Sequence, residues 1–217
     1  MRIGLLGGTF NPIHLGHLHV ARHVLAGLSL DRVLFIPSSS PPHKAAMEIL
    51  PADHRLAMTR LALRDDPHFE SSDIEIKRGG ISYSVETVLE LKRLCPEDTL
   101  FFIMGMDAFF EIQTWREAER LLTLCNFVVV SREEYPFSKC YGIPLLNRVR
   151  ASLTQLDTGQ IGAYILLTDQ ATEIHFLRIP PCHISASEVR SRLLTHQDAK
   201  NLLPASVASY IMENRLY

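Results

Sequence analysis

The sequence has little cysteine and no excess of charge of either sign. Its four cysteines, Cys95, Cys125, Cys140 and Cys182, are far apart and form no C-x-x-C pair. This spacing excludes a disulfide scaffold and the usual zinc motifs, and it indicates reduced thiols in a cytoplasmic protein. Lys and Arg total 22 against 24 Asp and Glu, a formal net charge of -2. Because no broadly basic surface is predicted, we expect no nucleic-acid partner.

Long apolar runs are also missing. No segment approaches the roughly 20 apolar residues of a membrane helix, so we expect no membrane partner. The apolar run that follows Arg2 is broken at residues 7–12, before the core of a signal peptide would end. We therefore expect the mature protein to begin at Met1.

What the sequence does contain is typical of a folded protein. Hydrophobic residues make up 47% and charged residues 21%, which provides enough apolar surface for a buried core. The chain has 217 residues without a repeat or a low-complexity linker. At about 150 residues per domain as a prior, this length predicts a single domain over 1–217, with an elaboration at about 134–173.

Strand-like and helix-like segments alternate along the chain. Apolar or alternating runs predict strands at 2–6, 32–36, 73–77, 99–104, 126–131, 164–167 and 174–179. Helical spacing, caps and prolines predict helices at 11–27, 51–63, 83–94, 115–124, 145–156, 187–194 and 204–214, the first capped by Asn11. Repeated βαβ units favour parallel pairing. The pattern predicts an α/β fold, a doubly wound, mostly parallel sheet with helices on both faces.

The segment that leaves the first strand, G-G-T-F-N-P-I-H-L-G-H at 7–17, is the most informative. Ligands of open α/β sheets bind at the carboxyl ends of strands, where a glycine-bearing loop before a helix offers free N–H groups to phosphate. His14 and His17 are three residues apart, so on a helix they share a face, and Gly16 leaves room for a ligand. The segment predicts a polyphosphate site without the dinucleotide or Walker patterns.

Two other interpretations of this segment remain. The histidines could be ordinary surface residues of the helix. His14, His17, His19 and His23 could also hold a metal, but no carboxylate or cysteine stands at ligand spacing. We expect no metal bound by the protein side chains.

A second motif, I-S-A-S-E-V-R at 184–190, lies near the other end of the chain. Ser185 and Ser187 suit the N-cap of a helix, and Arg190 follows one turn later with a planar guanidinium that can bind an anion. Such a serine-rich helix start is often only a cap. In combination with the first motif it predicts a second contact to phosphate.

The two motifs resemble the H-x-G-H and I-S-S-T-x-I-R signatures of the nucleotidyltransferase superfamily. Ala186, Ser187 and Val189 depart from the second signature, with the loss of one hydroxyl. Further segments resemble bacterial nicotinate-nucleotide adenylyltransferases, namely P-P-H-K at 41–44, S-Y-S-V-E-T at 82–87, G-M-D at 105–107, T-W-R at 114–116, S-R at 131–132 and the ending at 204–217. The resemblance covers 1–133 and 174–217, and the stretch 134–173 lies outside it.

This resemblance implies a Rossmann-like nucleotidyltransferase that joins ATP and nicotinate mononucleotide, with Mg²⁺ carried by ATP. The residues implied to neutralise phosphate charge are His14, His17, Lys44 and Arg190. Those implied to bind ATP are Gly8, Thr9, Phe10, Asn11, Gly16, Gly105, Asp107, Ile184, Ser185 and Ser187. Those implied to bind nicotinate mononucleotide are Ser82, Tyr83, Ser84, Thr87, Trp115 and Arg132.

Two rival functions stay open at this point. The acceptor could be nicotinamide mononucleotide or phosphopantetheine, because the two signatures report on ATP alone. The chain could also be a non-catalytic nucleotide-binding module, since a fold does not determine a function. No nucleophile with a partner base stands out, which agrees with a reaction whose acceptor phosphate is already anionic. A homo-oligomer is compatible with the sequence, which does not specify the oligomeric state.

Overall fold

A computed structural model describes residues 1–41, 49–140 and 144–217. The strands in these ranges are β1 (Arg2–Gly8), β2 (Arg32–Pro37), β3 (Phe69–Ser71), β4 (Thr99–Gly105), β5 (Asn126–Val130), β6 (Ala163–Leu167) and β7 (Glu173–Leu177). The α-helices are α1 (Leu15–Gly27), α2 (Ala52–Leu63), α3 (Ile74–Arg78), α4 (Ser84–Leu94), α5 (Met106–Phe110), α6 (Ala118–Leu124), α7 (Arg150–Thr158), α8 (Ala186–Leu194) and α9 (Ala205–Glu213). Short 3₁₀ turns cover Ile112–Thr114, Phe137–Lys139 and Pro144–Val149. None of these helices is long and apolar enough to cross a bilayer.

The strands form a seven-stranded sheet in the order β3-β2-β1-β4-β5-β7-β6. Strand β2 pairs parallel with β3, β4 with β5, and β5 with β7, whereas β6 at the edge runs antiparallel to β7. In the register of the parallel strands, Phe102 lies opposite Phe127 and Val129 opposite Phe176. Such continuous apolar strands are typical of parallel sheets covered on both faces. The mostly parallel α/β sheet predicted from the sequence is confirmed.

The chain folds as two compact units. The first comprises Met1–Leu5, His23–Asp31 and Ser84–Pro181, and the second comprises Leu6–Arg22, Arg32–Tyr83 and Cys182–Tyr217.

An aromatic cluster anchors the core of the first unit. The buried Phe176 of β7 meets Phe109 and Phe137 edge-on, with ring centroids 5.8 Å away in both cases. Edge-to-face contacts of this kind add to the free energy of apolar burial. In α7 the carboxylate of Asp157 accepts hydrogen bonds from the N–H groups of Phe137 and Ser138 at 2.8 and 3.0 Å. Asp157 thereby holds the 3₁₀ turn against this cluster.

Helix α2 organises the second unit, where it packs against β2, β3 and α9. The Ser206 hydroxyl of α9 donates to the Leu61 carbonyl at 3.1 Å, and His54 Nδ1 lies 3.0 Å from the Tyr210 hydroxyl. These polar contacts accompany an apolar helix face, which was predicted at 51–63.

The predicted strand at 73–77 is wrong. Residues Ile74–Arg78 form helix α3, and the strand in this region is Phe69–Ser71, which pairs with β2. The Asp73 carboxylate lies 3.0 Å from the Lys77 ammonium, an i,i+4 pair that supports a helical turn. An I-E-I triplet is too short to distinguish the strand period from the helix period.

The predicted cap of the first helix is also wrong. Helix α1 begins at Leu15, and Asn11 lies before it. The side-chain oxygen of Asn11 instead accepts hydrogen bonds from the Leu50 N–H at 3.1 Å and the Tyr217 hydroxyl at 2.8 Å. Contacts from distant parts of the second unit thus replace the local cap that the residue type favours.

Two predicted helices have different bounds in the structure. The helix expected at 115–124 begins at Ala118, so that Trp115 precedes it. The helix expected at 145–156 is divided between the 3₁₀ turn Pro144–Val149 and α7. Helix α5, which follows β4 directly, was not predicted.

Candidate active site

The loop between β1 and α1 carries the first motif in the second unit. Phe10 is 2% exposed and has a φ of 47°, a left-handed conformation that few non-glycine residues adopt. A Cβ at Gly8 would lie 2.9 Å from the Phe10 ring, so glycine is needed to leave the ring in place. The Asn11–Pro12 peptide bond is cis. The loop shape therefore depends on Gly8 and on the buried Phe10 ring.

His14 and His17 lie together at the start of α1. Their ring centroids are 3.7 Å apart with 30° between the planes, and the His14 N–H donates to His17 Nδ1 at 3.2 Å. The prediction that the two histidines share a face of one helix is wrong, because His14 precedes α1 and only His17 lies on it. The two rings meet by stacking at the helix start. An imidazole nitrogen that accepts a hydrogen bond carries no proton, which places the His17 proton on Nε2. His17 can donate this proton to an anion.

Gly16 permits close approach between this histidine pair and the second motif. A Cβ at Gly16 would lie 3.0 Å from the His14 ring and 3.2 Å from the Ile184 carbonyl oxygen. Both distances are tighter than ordinary van der Waals contact, and the second neighbour is backbone that cannot rotate away. Gly16 thus allows the segment before α8 to lie against the start of α1.

The second motif caps α8 and reaches the first motif. Ser185 is the N-cap, and its Oγ accepts from the Glu188 N–H at 3.1 Å, as predicted. Arg190 donates to the Asn11 carbonyl at 3.0 Å and to Ser187 Oγ at 3.4 Å. The Arg190–Asn11 bond joins segments that are 179 residues apart in the chain. The structure therefore brings His14, His17 and Arg190 to one loop of the second unit.

Part of the predicted pyridine-binding segment is tied to the loop after β2 in this unit. Ser82 Oγ accepts from the Ser39 N–H at 2.9 Å, and the Ser82 N–H donates to the Ser40 carbonyl at 2.9 Å. Tyr83 is half-buried. Lys44, predicted to approach the phosphates, lies outside the described residues.

In the first unit, three predicted residues meet where β4 and β5 end. Gly105 is the N-cap of α5, Asp107 lies in the first turn, and Arg132 Nε is 3.6 Å from Asp107 Oδ1. A Cβ at Gly105 would overlap the Asp107 carboxylate. The side chains of Asp107 and Arg132 are 46% and 44% exposed. The carboxylate thus remains accessible to hydroxyl groups of a ligand.

Trp115 also lies in the first unit, after the 3₁₀ turn Ile112–Thr114. Its ring meets the buried Phe102 edge-on, with centroids 6.1 Å apart, and it remains partly exposed. The next residue, Arg116, places NH1 3.7 Å from the Glu86 carboxylate in the first turn of α4. The predicted aromatic and the predicted helix start are therefore linked within this unit.

Accessibility differs between the two predicted residues of α4. Ser84 is the first residue of the helix and is half-buried, whereas Thr87 is only 2% exposed. Ser84 is the more accessible of the two side chains.

A cleft of about 300 Å³ is lined in part by Arg132, which was predicted to bind nicotinate mononucleotide. Its lining includes Tyr135, Asp157, Arg178 and Pro181. Apart from the S-R pair at 131–132, the lining comes from segments without a motif, so the sequence offers no signal for the rest of the cleft.

Two polar side chains that hold the loop after β1, the buried Arg55 and the half-buried Tyr217, were not predicted either. Arg55 of α2 is 1% exposed and donates to the Thr9 carbonyl at 2.7 Å, and the Tyr217 hydroxyl donates to Asn11 Oδ1. Burial lowers the pKa of the Arg55 guanidinium, with Tyr217 and Glu75 opposing the shift, and burial raises the pKa of the Tyr217 phenol. Arginine nevertheless stays protonated in proteins, and the phenol keeps its proton. Both groups therefore act as hydrogen-bond donors.

Comparisons with known proteins agree with the motifs. The sequence profile of the cytidylyltransferase-like family matches residues 5–192. The probable nicotinate-nucleotide adenylyltransferase of Geotalea daltonii is 40% identical over 220 residues, which span 100% of this chain and 98% of that protein. The proteins of the same name from Moorella thermoacetica and Thermus thermophilus are each 38% identical over 217 residues, covering 100% of this chain and 91% and 100% of theirs.

Solved structures share the fold. The nicotinic acid mononucleotide adenylyltransferase of Plasmodium falciparum, complexed with NaAD, matches with a TM-score of 0.72 at 19% identity, covering 100% of this chain and 97% of that chain. A putative nicotinate-nucleotide adenylyltransferase from Vibrio parahaemolyticus matches with a TM-score of 0.63 at 15% identity, covering 98% and 92%. The chain belongs to the cytidylyltransferase-like family and, within it, to the nicotinate-nucleotide adenylyltransferases.

Proposed function

We propose that this protein transfers the adenylyl group of ATP to nicotinate mononucleotide, which yields deamido-NAD and pyrophosphate in NAD biosynthesis. The observation that carries the proposal is the Arg190–Asn11 hydrogen bond, which unites two motifs rich in phosphate-binding groups. Relatives that are 40% and 38% identical over the whole chain carry the name of this activity, which supports the same reaction here.

The reaction needs alignment and charge neutralisation. An oxygen of the nicotinate mononucleotide phosphate attacks the α-phosphorus of ATP, and the bond to the β-phosphate oxygen breaks as pyrophosphate takes the electron pair. The attacking oxygen is already anionic, so no general base is required. Preorganised N–H donors aimed at the developing charge can supply much of the rate.

We assign these donors to the residues around the loop after β1. His17 donates from Nε2–H, and His14, Lys44 and Arg190 complete the set that neutralises phosphate charge. The loop and helix start that surround ATP are Gly8, Thr9, Phe10, Asn11, Gly16, Ile184, Ser185 and Ser187. Ser185 Oγ accepts the capping bond from Glu188, so its O–H proton is still available to a phosphate oxygen.

In the first unit we assign Gly105 and Asp107 to the ribose of ATP, because an exposed carboxylate accepts hydrogen bonds from a pair of hydroxyls. The flat face of Trp115 suits the cationic pyridine ring. The remaining residues assigned to nicotinate mononucleotide are Ser82, Tyr83, Ser84, Thr87 and Arg132.

Mg²⁺ would enter with ATP. In the described ranges, no group of three or more His, Cys, Asp or Glu is arranged to hold a metal, and the assigned groups are mostly N–H donors, which repel a cation. These residues fit a Mg²⁺ ion that is held by phosphate oxygens and water. When bound, the ion neutralises charge on the pyrophosphate.

We also infer a cytoplasmic location, because all four cysteines are free thiols. Burial raises the pKa of Cys125 to about 12 and that of Cys140 to about 11, so these two thiols stay protonated near neutral pH.

Pyrophosphate release from ATP tests the proposal directly. The purified protein is assayed with Mg²⁺ and with nicotinate mononucleotide, nicotinamide mononucleotide or phosphopantetheine, and a chelator arm measures the need for Mg²⁺. We expect the highest kcat/KM with nicotinate mononucleotide and loss of activity in the chelator arm. A preference for another acceptor would refute the assigned pyridine site. ATP binding without pyrophosphate release would indicate a non-catalytic module instead.

A further inference from the structure

Arg55 is a buried cation to which the reaction assigns no role. Its side chain lies inside the second unit at 1% exposure, near the start of α2. The guanidinium donates from Nε to the Leu50 carbonyl at 2.9 Å, from NH1 to the Thr9 carbonyl at 2.7 Å and from NH2 to the Ser39 carbonyl at 3.0 Å. All three nitrogens of the fork are thus bonded to backbone oxygens.

The three carbonyls belong to three different segments. Thr9 lies in the loop after β1 and precedes Phe10 and Asn11, while Ser39 lies in the loop after β2. The N–H of Ser39 in turn donates to Ser82 Oγ at 2.9 Å. Within the second unit, the guanidinium therefore connects the loop assigned to ATP phosphates with Ser82, one of the residues assigned to the pyridine nucleotide.

The same loop is held from a second direction. Asn11 accepts from Tyr217 at 2.8 Å and from Leu50 at 3.1 Å on its side chain, and from Arg190 at 3.0 Å on its carbonyl. The Leu50 carbonyl is itself a partner of Arg55. A shift of the Arg55 head group would thus be transmitted to the carbonyl that orients Arg190.

Burial of a cation is costly, which argues that the geometry matters. The hydrogen bonds of Arg55 in the described ranges go to neutral carbonyls, and burial lowers the pKa of its guanidinium even though Tyr217 and Glu75 oppose that shift. Well-packed apolar residues often replace buried charged groups without loss of stability. A rigid planar fork, in contrast, determines the relative positions of three carbonyls at once.

We propose that Arg55 is a positioning residue for adenylyl transfer. Through its three hydrogen bonds to carbonyl groups, Arg55 aligns the loops after β1 and β2. It acts through Thr9, Ser39 and Leu50 and does not touch the substrates. The inference rests on the proposed function, because the aligned loops matter only if they bind the two nucleotides.

The test compares Arg55→Lys and Arg55→Gln with Thr59→Val. Lysine keeps the charge without the planar fork, and glutamine keeps one N–H₂ group without a buried charge, so the two variants perturb the fold in different ways and either one that folds suffices for the test. Thr59 lies one turn further along α2, is fully buried, and donates its hydroxyl to the Arg55 carbonyl inside the helix. Thr59→Val therefore disturbs the same helix without removing a bond to either loop.

Measurements are made below the melting temperature, on variants whose far-UV circular dichroism matches the unaltered protein. We expect kcat to fall on the order of 10²-fold in the Arg55 variants, by more than KM rises, because misalignment by about 1 Å affects the transition state most. The Kd for a non-hydrolysable ATP analogue should rise as well. Thr59→Val should lower Tm with kcat close to that of the unaltered protein.

The outcomes separate this inference from the proposed function. If folded Arg55 variants keep the kcat and the analogue Kd of the unaltered protein, or if Thr59→Val loses kcat equally, Arg55 is merely structural. If the unaltered protein releases no pyrophosphate, the proposed function fails. The analogue Kd of the Arg55 variants then still decides whether Arg55 aligns a nucleotide site.

Discussion

The proton of His17 is placed by a backbone contact. Because His17 Nδ1 accepts from the backbone N–H of His14, the His17 proton lies on Nε2, the nitrogen that we assign as donor to a phosphate oxygen. We expect His17→Ala to lower kcat by about 10²–10³-fold, the usual loss when one preorganised donor is removed. Steady-state pyrophosphate release measures this loss. His19→Ala, on the same helix, is the matched control and should retain kcat. If His17→Ala also retained the kcat of the unaltered protein, His17 would have no role in the reaction.

Among the elements, α8 is preceded by its N-cap Ser185, whose side chain caps the helix. Ser185→Ala should cost about 1 kcal/mol of unfolding free energy through the lost cap. Ser185→Asn and Ser185→Asp both preserve a cap, but the aspartate repels phosphate. We expect the two capped variants to match in thermal stability, and the aspartate variant to bind ATP more weakly in calorimetry. If both bind ATP equally, the start of α8 does not contact phosphate.

Helix α3 contains a pH-sensitive contact. The hydrogen bond from Lys77 is the main cause that lowers the pKa of Asp73 below its ordinary value, and Arg60 contributes from 3.4 Å. A carboxyl with a lowered folded-state pKa stabilises the fold above its unfolded pKa, and this stabilisation is lost as pH falls through the folded pKa. We therefore expect Asp73→Asn to lower Tm at neutral pH.

Acidic conditions provide the control for Asp73. Once the carboxyl of the unaltered protein is protonated, the two proteins should melt alike in thermal scans. A Tm difference that persists unchanged into strong acid would show that the contact with Lys77 is not its cause.

At the scale of the whole molecule, ATP should stabilise the folded state by mass action. A ligand at about 100 times its Kd adds about 2.7 kcal/mol to the free energy of unfolding. For a chain of this size each kcal/mol raises Tm by about 2–4 °C, so we expect a rise of about 5–10 °C. Scanning calorimetry with ATP and Mg²⁺ measures the shift.

Arg190→Ala should reduce that shift in Tm, because it removes a donor from the assigned phosphate site. Glu213→Ala, at the end of α9 and on the exposed surface, is a suitable control and should show the full shift. A full shift in Arg190→Ala would contradict the role assigned to Arg190.

Much of the sheet was predictable because strands such as Thr99–Gly105 and Asn126–Val130 are continuous apolar runs between clear breakers. Strand Phe69–Ser71 was not predictable, because three residues are too few to show the alternation of apolar and polar residues that is typical of a strand. This segment is a strand because it pairs with β2. The role of Asn11 was also not predictable, because its side chain accepts hydrogen bonds from residues that are remote in the chain. Arg55 gave one weak signal, its place on the buried face of α2.

The sequence by itself determined the α/β class, the two signatures and the kinds of side chain that we assign to phosphate. These properties follow from local composition and from short motifs, which do not depend on distant contacts. Tertiary structure decided that Arg190 bonds to Asn11, that the His17 proton lies on Nε2, and that Arg55 links three carbonyls. The bonds from Arg190 to Asn11 and from Arg55 to Thr9 join residues far apart in the chain, and the short-range His14–His17 bond depends on the shape of the loop before α1. The geometry of all three exists only after the surrounding core has packed.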